Sequence, residues 1–444
     1  MIRKFLAEIN TVTWYRIAGV VIAILASKKM IFSVINWSNM KGWEAYFIAK
    51  AIVAGEGYSF PSTNRWLFDA VSDGAYHSTA WVDPFYTYCL AGFIWLFGDY
   101  HQLAVAIFNL FLYFSVFALT FYFVERLISS RAAVLAVLLL AISKFTALSS
   151  QMNNTFLAAT FILLSAVVLL NYYKTPGYRR AIVLGLVLGL TALASPSAQF
   201  FIPITMITII FWGWNQLKVT AVLHSMTVVL MAAVIMAPWV IRNYMVFDEF
   251  ISVRNGGGQI VFVGTVAIAG TVSPEKIASN AKPAWAADTP RNAVWKSKLL
   301  KNHRSELERF QLEYAKEVGP DNWKIMDEVQ RDKWFLKESK EFILANPIIS
   351  LKLAMAKIEV FVKSMGWLGV GIILFAIIGA IATIKNPVLS TIVLWAASYI
   401  GPFTLVISYF SRYRAPIEPL LIILSICALY WLTNRFKLPK TINQ

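Results

Sequence analysis

The sequence predicts an all-α polytopic membrane protein, and three features predict it. Of 444 residues, 58% are hydrophobic and only 14% are charged, against roughly 25% charged in a soluble globular chain. Mean hydropathy is +0.61. Apolar runs of about 18 or more residues recur along the whole length, each long enough to cross a bilayer as a helix with its backbone groups satisfied internally. The recurring spans make residues 1–444 one membrane unit rather than a string of soluble domains.

The formal net charge of +16 does not point to nucleic acid, because Lys and Arg are expected in the short cytoplasmic loops of a membrane protein. Cys89 and Cys427 lie far apart in apolar stretches and imply neither a disulfide framework nor a zinc site. Residues Met1 to Met30 have a basic start and an apolar core. No A-x-A cleavage site follows and the apolar character resumes at Met30, so this segment reads as a retained first span.

Hydropathy gives about ten spans, at 14–36, 102–124, 132–149, 154–172, 180–194, 197–213, 219–239, 366–384, 388–408 and 414–432. With the N-terminus inside, the inner connections are Met1–Phe5, Glu125–Arg131, Tyr172–Arg180, Trp214–Lys218, Lys385–Asn386 and Asn434–Lys440. Nearly all are basic, as the positive-inside rule asks. The apolar segment Asp83–Phe97 is too short to span; counting it would move every later basic loop outside, so it is placed along the outer interface. Two long outer loops result, 37–101 and 240–365. The second holds amphipathic stretches at His303–Glu317 and at Met326–Leu344, the latter continuing past Pro347 into Ile348–Val362, and these are expected on the membrane surface. The chain has no internal repeat and no inverted pairing of broken helices, which argues against a secondary transporter.

The outer loops carry the residues suited to chemistry. Glu44 opens an amphipathic turn just after span one; it is either an exposed carboxylate favoured by the helix dipole or a general base facing the outer end of the bundle. Gly55, Gly57 and Pro61 form a turn, not a phosphate loop, since no G-K-[ST] follows. Asp69, Asp73 and His77 recur at a spacing that would share one helical face and could hold a divalent cation, although Gly74 favours a loop. Asp83 before Pro84 either caps the interfacial helix with its side chain or serves the active site. Lys28 and Lys29 interrupt the outer end of span one, where they snorkel or meet an anionic lipid head; Lys144 lies inside span three. Arg242, Arg412 and Arg414 fall outside, where the positive-inside rule would not put them. Guanidinium groups there fit phosphate oxygens, or else pair with a carboxylate such as Glu418.

Five segments in this order resemble the GT-C superfamily of integral-membrane glycosyltransferases, above all the bacterial branch related to protein mannosyltransferases and the aminoarabinose lipid A transferase. They are Gly42-Trp-Glu with the stretch Ile48 to Pro61, Thr79-Ala-Trp-Val-Asp-Pro84 with Leu96-Phe-Gly98, Gly185 to Pro196, Pro238-Trp-Val-Ile-Arg-Asn-Tyr244, and Arg412-Tyr-Arg-Ala-Pro-Ile-Glu-Pro419. The likeness covers almost the whole chain. It implies a GT-C-like bundle in the bacterial inner membrane with both termini cytoplasmic. It also implies an inverting transfer of a sugar from a polyprenyl-phosphate donor to a lipid, glycan or protein acceptor on the outer face. Glu44 falls where relatives carry the acidic residue that engages the acceptor hydroxyl, with Asp83 as a second acidic group. Arg242, Arg412, Arg414, Lys28 and Lys29 would serve the donor phosphate, and Tyr46, His77, Trp81, Asn243, Arg254 and Tyr413 the donor or acceptor pocket. No cofactor is assigned by the sequence, and a divalent cation is compatible with it. The sequence departs from the pattern in having Asp83-Pro84 where relatives tend to have Pro-Pro, and Ser195 where a basic residue or Asn often precedes the proline at 196. The competing readings are a transporter or flippase for a lipid-linked or anionic solute, and an enzyme resembling O-antigen polymerases.

Overall fold

The computed structural model describes residues 11–40, 42, 44–61, 75–143, 145, 152–267, 319–320, 326–364, 366–406 and 414–434. It begins with α1 (Thr11–Ala26) and α2 (Lys28–Ile35), one apolar stretch bent by 49°. The bend sits at Ser27, whose hydroxyl donates to the Ile24 carbonyl at 2.7 Å, and Lys28 and Lys29 are exposed just beyond it. α3 (Glu44–Val53) buries Ala45, Ile48, Ala49 and Ala51. Gly55 and Gly57, with φ of +86° and +66°, then turn the chain into β1 (Ser59–Pro61). That strand pairs antiparallel with β2 (Tyr76–Ser78), Phe60 opposite His77.

α4 (Pro84–Phe97) and α5 (His101–Leu127) follow one another within a helical stretch of 44 residues, yet they are not one straight helix. The rings of Phe93 and Phe108 meet at 5.1 Å, whereas in a straight helix residues so far apart would be separated by roughly 20 Å. The chain folds back at Gly98, whose φ of +50° suits glycine. α4 is 14 residues long, or about 21 Å, short of the roughly 30 Å hydrocarbon core.

The remaining helices are α6 (Ser130–Ile142), α7 (Thr155–Lys174), α8 (Tyr178–Ala194), α9 (Phe201–Leu217), α10 (Val219–Phe247), α11 (Gly257–Phe262), α12 (Glu328–Ala345), α13 (Pro347–Ser364), α14 (Gly366–Ala382), α15 (Pro387–Val406) and α16 (Glu418–Thr433). Over the described residues, each span expected from hydropathy overlaps one of these helices or the bent pair. Among the described residues, 5 helical segments, or 6 with the bent pair, are long and apolar enough to cross a membrane by length and composition. α7 and α16 run through the middle of the bundle, with 72% and 78% of their apolar lengths buried, while α10 is 33% buried and lies at its edge. α8 meets α10 closely because a Cβ on Gly185 would come within 2.4 Å of the Val228 carbonyl and one on Gly189 within 2.9 Å of the Ala232 carbonyl. This is the small-xxx-small contact of membrane helices.

Side-chain bonds sort the connections to the two ends of the bundle. Arg16 binds Glu125 at 3.2 Å, Tyr172 binds His224 at 3.0 Å and Trp212 binds Ser390 at 3.1 Å, which gathers the basic connections at one end. At the other end Tyr46 meets His101 at 2.9 Å, Ser195 meets Tyr399 at 3.0 Å, and Asp83 meets Asn154.

Candidate active site

The polar end holds a cavity of about 350 Å³ lined by Glu44, Trp81, Asp83, Asn154, Arg254 and Tyr399, among others. Its carboxylates come from two short segments. Glu44 is the first residue of α3, half-buried at the cavity wall. Asp83 stands before Pro84, which excludes helical backbone at the preceding residue and leaves Asp83 extended at φ −64° and ψ 129°. The expectation that Asp83 caps α4 with its side chain is not met. Its Oδ2 instead accepts from the Asn154 amide, which also donates to the Ala194 carbonyl at 3.0 Å. A single buried carboxylate thus ties the starts of α4 and α7 to the end of α8.

Behind it, Tyr58 donates to the Val82 carbonyl at 2.8 Å, and Thr87 donates to the Asp83 carbonyl at 2.8 Å. Burial pushes the Tyr58 phenol well above its ordinary pKa, so it stays a donor.

Opposite this segment lies the turn 254–258. The Arg254 guanidinium sits 5.2 Å from the Trp81 ring centre, and the Asn255 N–H donates to the Ala80 carbonyl at 2.9 Å. Gly256 has φ +98°, and a Cβ there would stand 2.3 Å from the Trp81 ring. Gly258 admits none, because a Cβ would lie 2.0 Å from the Asp332 carbonyl. Sequence reasoning missed two residues of α12. Glu328, buried, accepts the Thr79 hydroxyl at 2.7 Å and the Ala80 N–H at 2.6 Å, and burial pushes its carboxyl up to about 7. Asp332 accepts the Gln259 N–H at 2.8 Å, and burial raises its carboxyl too. The helix itself was expected from the amphipathic stretch Met326–Leu344, and Asp327 and Gln330 start it with a capping box; its partners, far away in sequence, were not legible.

The sequence-derived donor arginines part company here. Arg242 does not reach the cavity: it donates to the Thr79 carbonyl at 2.8 Å, the Tyr58 carbonyl at 2.9 Å and Asn243 at 3.0 Å, among the rings of Tyr58, Trp239 and Phe247. Asn243 is spent on the Ile251 carbonyl at 3.1 Å. Both clamp the outer segments to α10. Arg414 is buried and pairs with Glu418 at 3.3 Å beside a smaller cavity of about 190 Å³ that Ser143 and Trp367 also line. Tyr46 stacks on His101 with ring centres 5.5 Å apart, under Lys50, and braces α3 from outside the cavity. His77 lies on β2, so the helical face suggested by its spacing from Asp69 and Asp73 does not extend to it. Arg412, Tyr413, Lys144, Asp69, Asp73 and the stretch His303–Glu317 lie outside the described residues. Among the described residues no three His, Cys, Asp or Glu side chains gather as a cation site.

Residues 79–241 match the sequence profile of the dolichyl-phosphate-mannose-protein mannosyltransferase family, a stretch that includes Trp81 and Asp83 and ends beside Arg242. The fold matches the oligosaccharyltransferase AglB of Archaeoglobus fulgidus. In its complex with an inhibitory peptide and a dolichol-phosphate the TM-score is 0.55 at 14% identity, covering 95% of this chain and 50% of that one. An Archaeoglobus fulgidus oligosaccharyltransferase in complex with zinc and sulfate gives 0.54 at 15% identity, covering 94% and 50%. The chain therefore spans about half the length of the solved structures it matches. No curated protein matches it in sequence. The segment 79–241 thus resembles that mannosyltransferase family, and the chain as a whole shares the fold of the archaeal oligosaccharyltransferase.

Proposed function

We propose that this chain transfers a sugar, with inversion, from a polyprenyl-phosphate-linked donor to an acceptor hydroxyl at the polar end of the bundle. The observation that carries this reading is the meeting of Glu44, Asp83 and Arg254 on one cavity. The acceptor oxygen attacks the anomeric carbon as its proton passes to Glu44, the base. The bond from that carbon to the phosphate oxygen breaks, and its electron pair leaves on the phosphate. Arg254, which lines the cavity, stabilises that charge, a role the sequence assigned to Arg242, Arg412 and Arg414. Asp83, fixed by Asn154, faces the positive charge that grows on the sugar ring. Lys28 and Lys29, exposed at the bend of span one, meet the lipid-phosphate layer. A lipid-linked donor agrees with the neighbouring oligosaccharyltransferase, solved with a dolichol-phosphate.

The polar end faces the periplasm of a bacterial inner membrane in this proposal, with both termini cytoplasmic. Reporter fusions at Gly177 and Asn280 test it; the same side for both sinks the topology. The activity is tested with radiolabelled polyprenyl-phosphate sugars and membranes, wild type against Glu44→Gln. Near-normal transfer by Glu44→Gln removes Glu44 as base.

A further inference from the structure

Two acidic side chains one turn apart on α12 grip the two stretches of backbone that form the polar wall of the cavity. Glu328 takes the Thr79 hydroxyl at 2.7 Å and the Ala80 N–H at 2.6 Å, just ahead of Trp81 and Asp83. Asp332 takes the Gln259 N–H at 2.8 Å, just after Arg254 and the Gly256–Gly258 turn. The two gripped stretches also hold each other, through Asn255 N–H on the Ala80 carbonyl at 2.9 Å and Arg254 over Trp81. Neither carboxylate lines the cavity. Each is a carboxyl group whose oxygens accept from neutral donors on the opposing segment. Each is also costly to bury with those donors removed. Glu328 reaches across 248 positions to Ala80, so the contact exists only when the second outer loop is docked on the first.

We propose that Glu328 and Asp332 are positioning residues that assemble the site from the two outer loops, Glu328 setting the Trp81–Asp83 stretch and Asp332 setting Arg254. The proposal rests on reading the cavity as the site of transfer. Glycine at 258 belongs to the same device, since a Cβ there would hold α11 off the Asp332 backbone.

The test uses the full chain in lipid nanodiscs and the variants Glu328→Ala, Glu328→Gln and Asp332→Ala. Backbone amide exchange is followed in peptides covering 79–83 and 255–260, with α7 and α16 as internal references. Glu328→Ala loses both bonds, whereas Glu328→Gln keeps a carbonyl for the Ala80 N–H and an amide for the Thr79 oxygen. Expected is faster exchange in 79–83 for Glu328→Ala and in 255–260 for Asp332→Ala, with both reference helices unchanged. Transfer from polyprenyl-phosphate sugar should fall roughly 100-fold, as a misplacement near 1 Å does, and Glu328→Gln should restore most of it. Unchanged exchange in both stretches overturns the proposal whatever the transfer data. Faster exchange with wild-type transfer also overturns it, provided Glu44→Gln is inactive. Wild-type transfer in Glu44→Gln instead overturns the catalytic reading of that residue, and recovery of both exchange and transfer by Glu328→Gln still decides for positioning.

Discussion

Arg254 lies over the face of Trp81, guanidinium to ring centre 5.2 Å, on the wall of the cavity that Glu44 and Asp83 also line. Stacking on indole holds a guanidinium flat while leaving its N–H edge available to a phosphate. Replacing Arg254 by Ala should lower kcat/KM for the lipid donor by roughly 10²–10³-fold, the loss seen when one charge-stabilising donor is removed. Trp81→Leu should cost about tenfold or less, the worth of the cation–π contact. Steady-state kinetics against donor concentration check both; an unaffected Arg254→Ala would send the phosphate elsewhere.

Arg242 should behave differently. Its guanidinium bridges the Thr79 and Tyr58 carbonyls, a fork that lysine cannot reproduce. Arg242→Lys should lower the melting temperature in detergent, corresponding to about 1.5–3 kcal/mol per lost charged hydrogen bond, and leave the donor KM of the folded fraction unchanged. A raised KM with an unchanged melting temperature would return Arg242 to the donor.

Helix contacts made through glycine are equally exposed to test. Gly185→Leu must push α8 from the Val228 carbonyl of α10, and overpacking of this kind costs about 1–3 kcal/mol. Thermal unfolding of the purified protein measures it; no change would mean the helices slide apart freely.

Glu328 makes stability depend on pH, and the sign follows from its raised carboxyl. Burial lifts it from 4.5 to about 7, against the smaller opposing pull of its hydrogen bonds and of Arg242. Between those values the folded protein binds more protons than the unfolded one, so stability is greatest below about 4.5 and declines as pH rises through 7. Melting curves across that range should show the decline, and Glu328→Gln should flatten it.

The buried pair Arg414–Glu418, 3.3 Å apart, should be intolerant of single removals. Glu418→Ala leaves a guanidinium without its counter-charge, and breaking such a pair costs about 3–5 kcal/mol. Expression and melting temperature report it; near-wild-type behaviour would show that Arg414 finds another anion.

The chain's hydropathy and the positions of its basic residues were enough, alone, to determine a helical membrane protein and the segments that form its helices. The bilayer demands long apolar runs, and those are local properties of a sequence. The sequence also singled out Glu44 and the Thr79–Pro84 stretch as candidates, because an acidic residue and a Pro-fixed turn are visible without partners, and the fold brings both to one cavity. Among the described residues, tertiary structure alone decided that Arg254 rather than Arg242 meets the cavity, since the two look alike in a sequence. One is consumed by two backbone carbonyls and the other is left on an indole face. It alone decided that Asp83 binds Asn154 rather than capping its own helix, that the chain after Pro84–Phe97 folds back at Gly98, and that Glu328 holds the Thr79–Ala80 segment. Each of those outcomes depends on a donor or a ring far away along the chain, and hydrogen bonds and ring contacts act over a few ångströms in space, which no local pattern records.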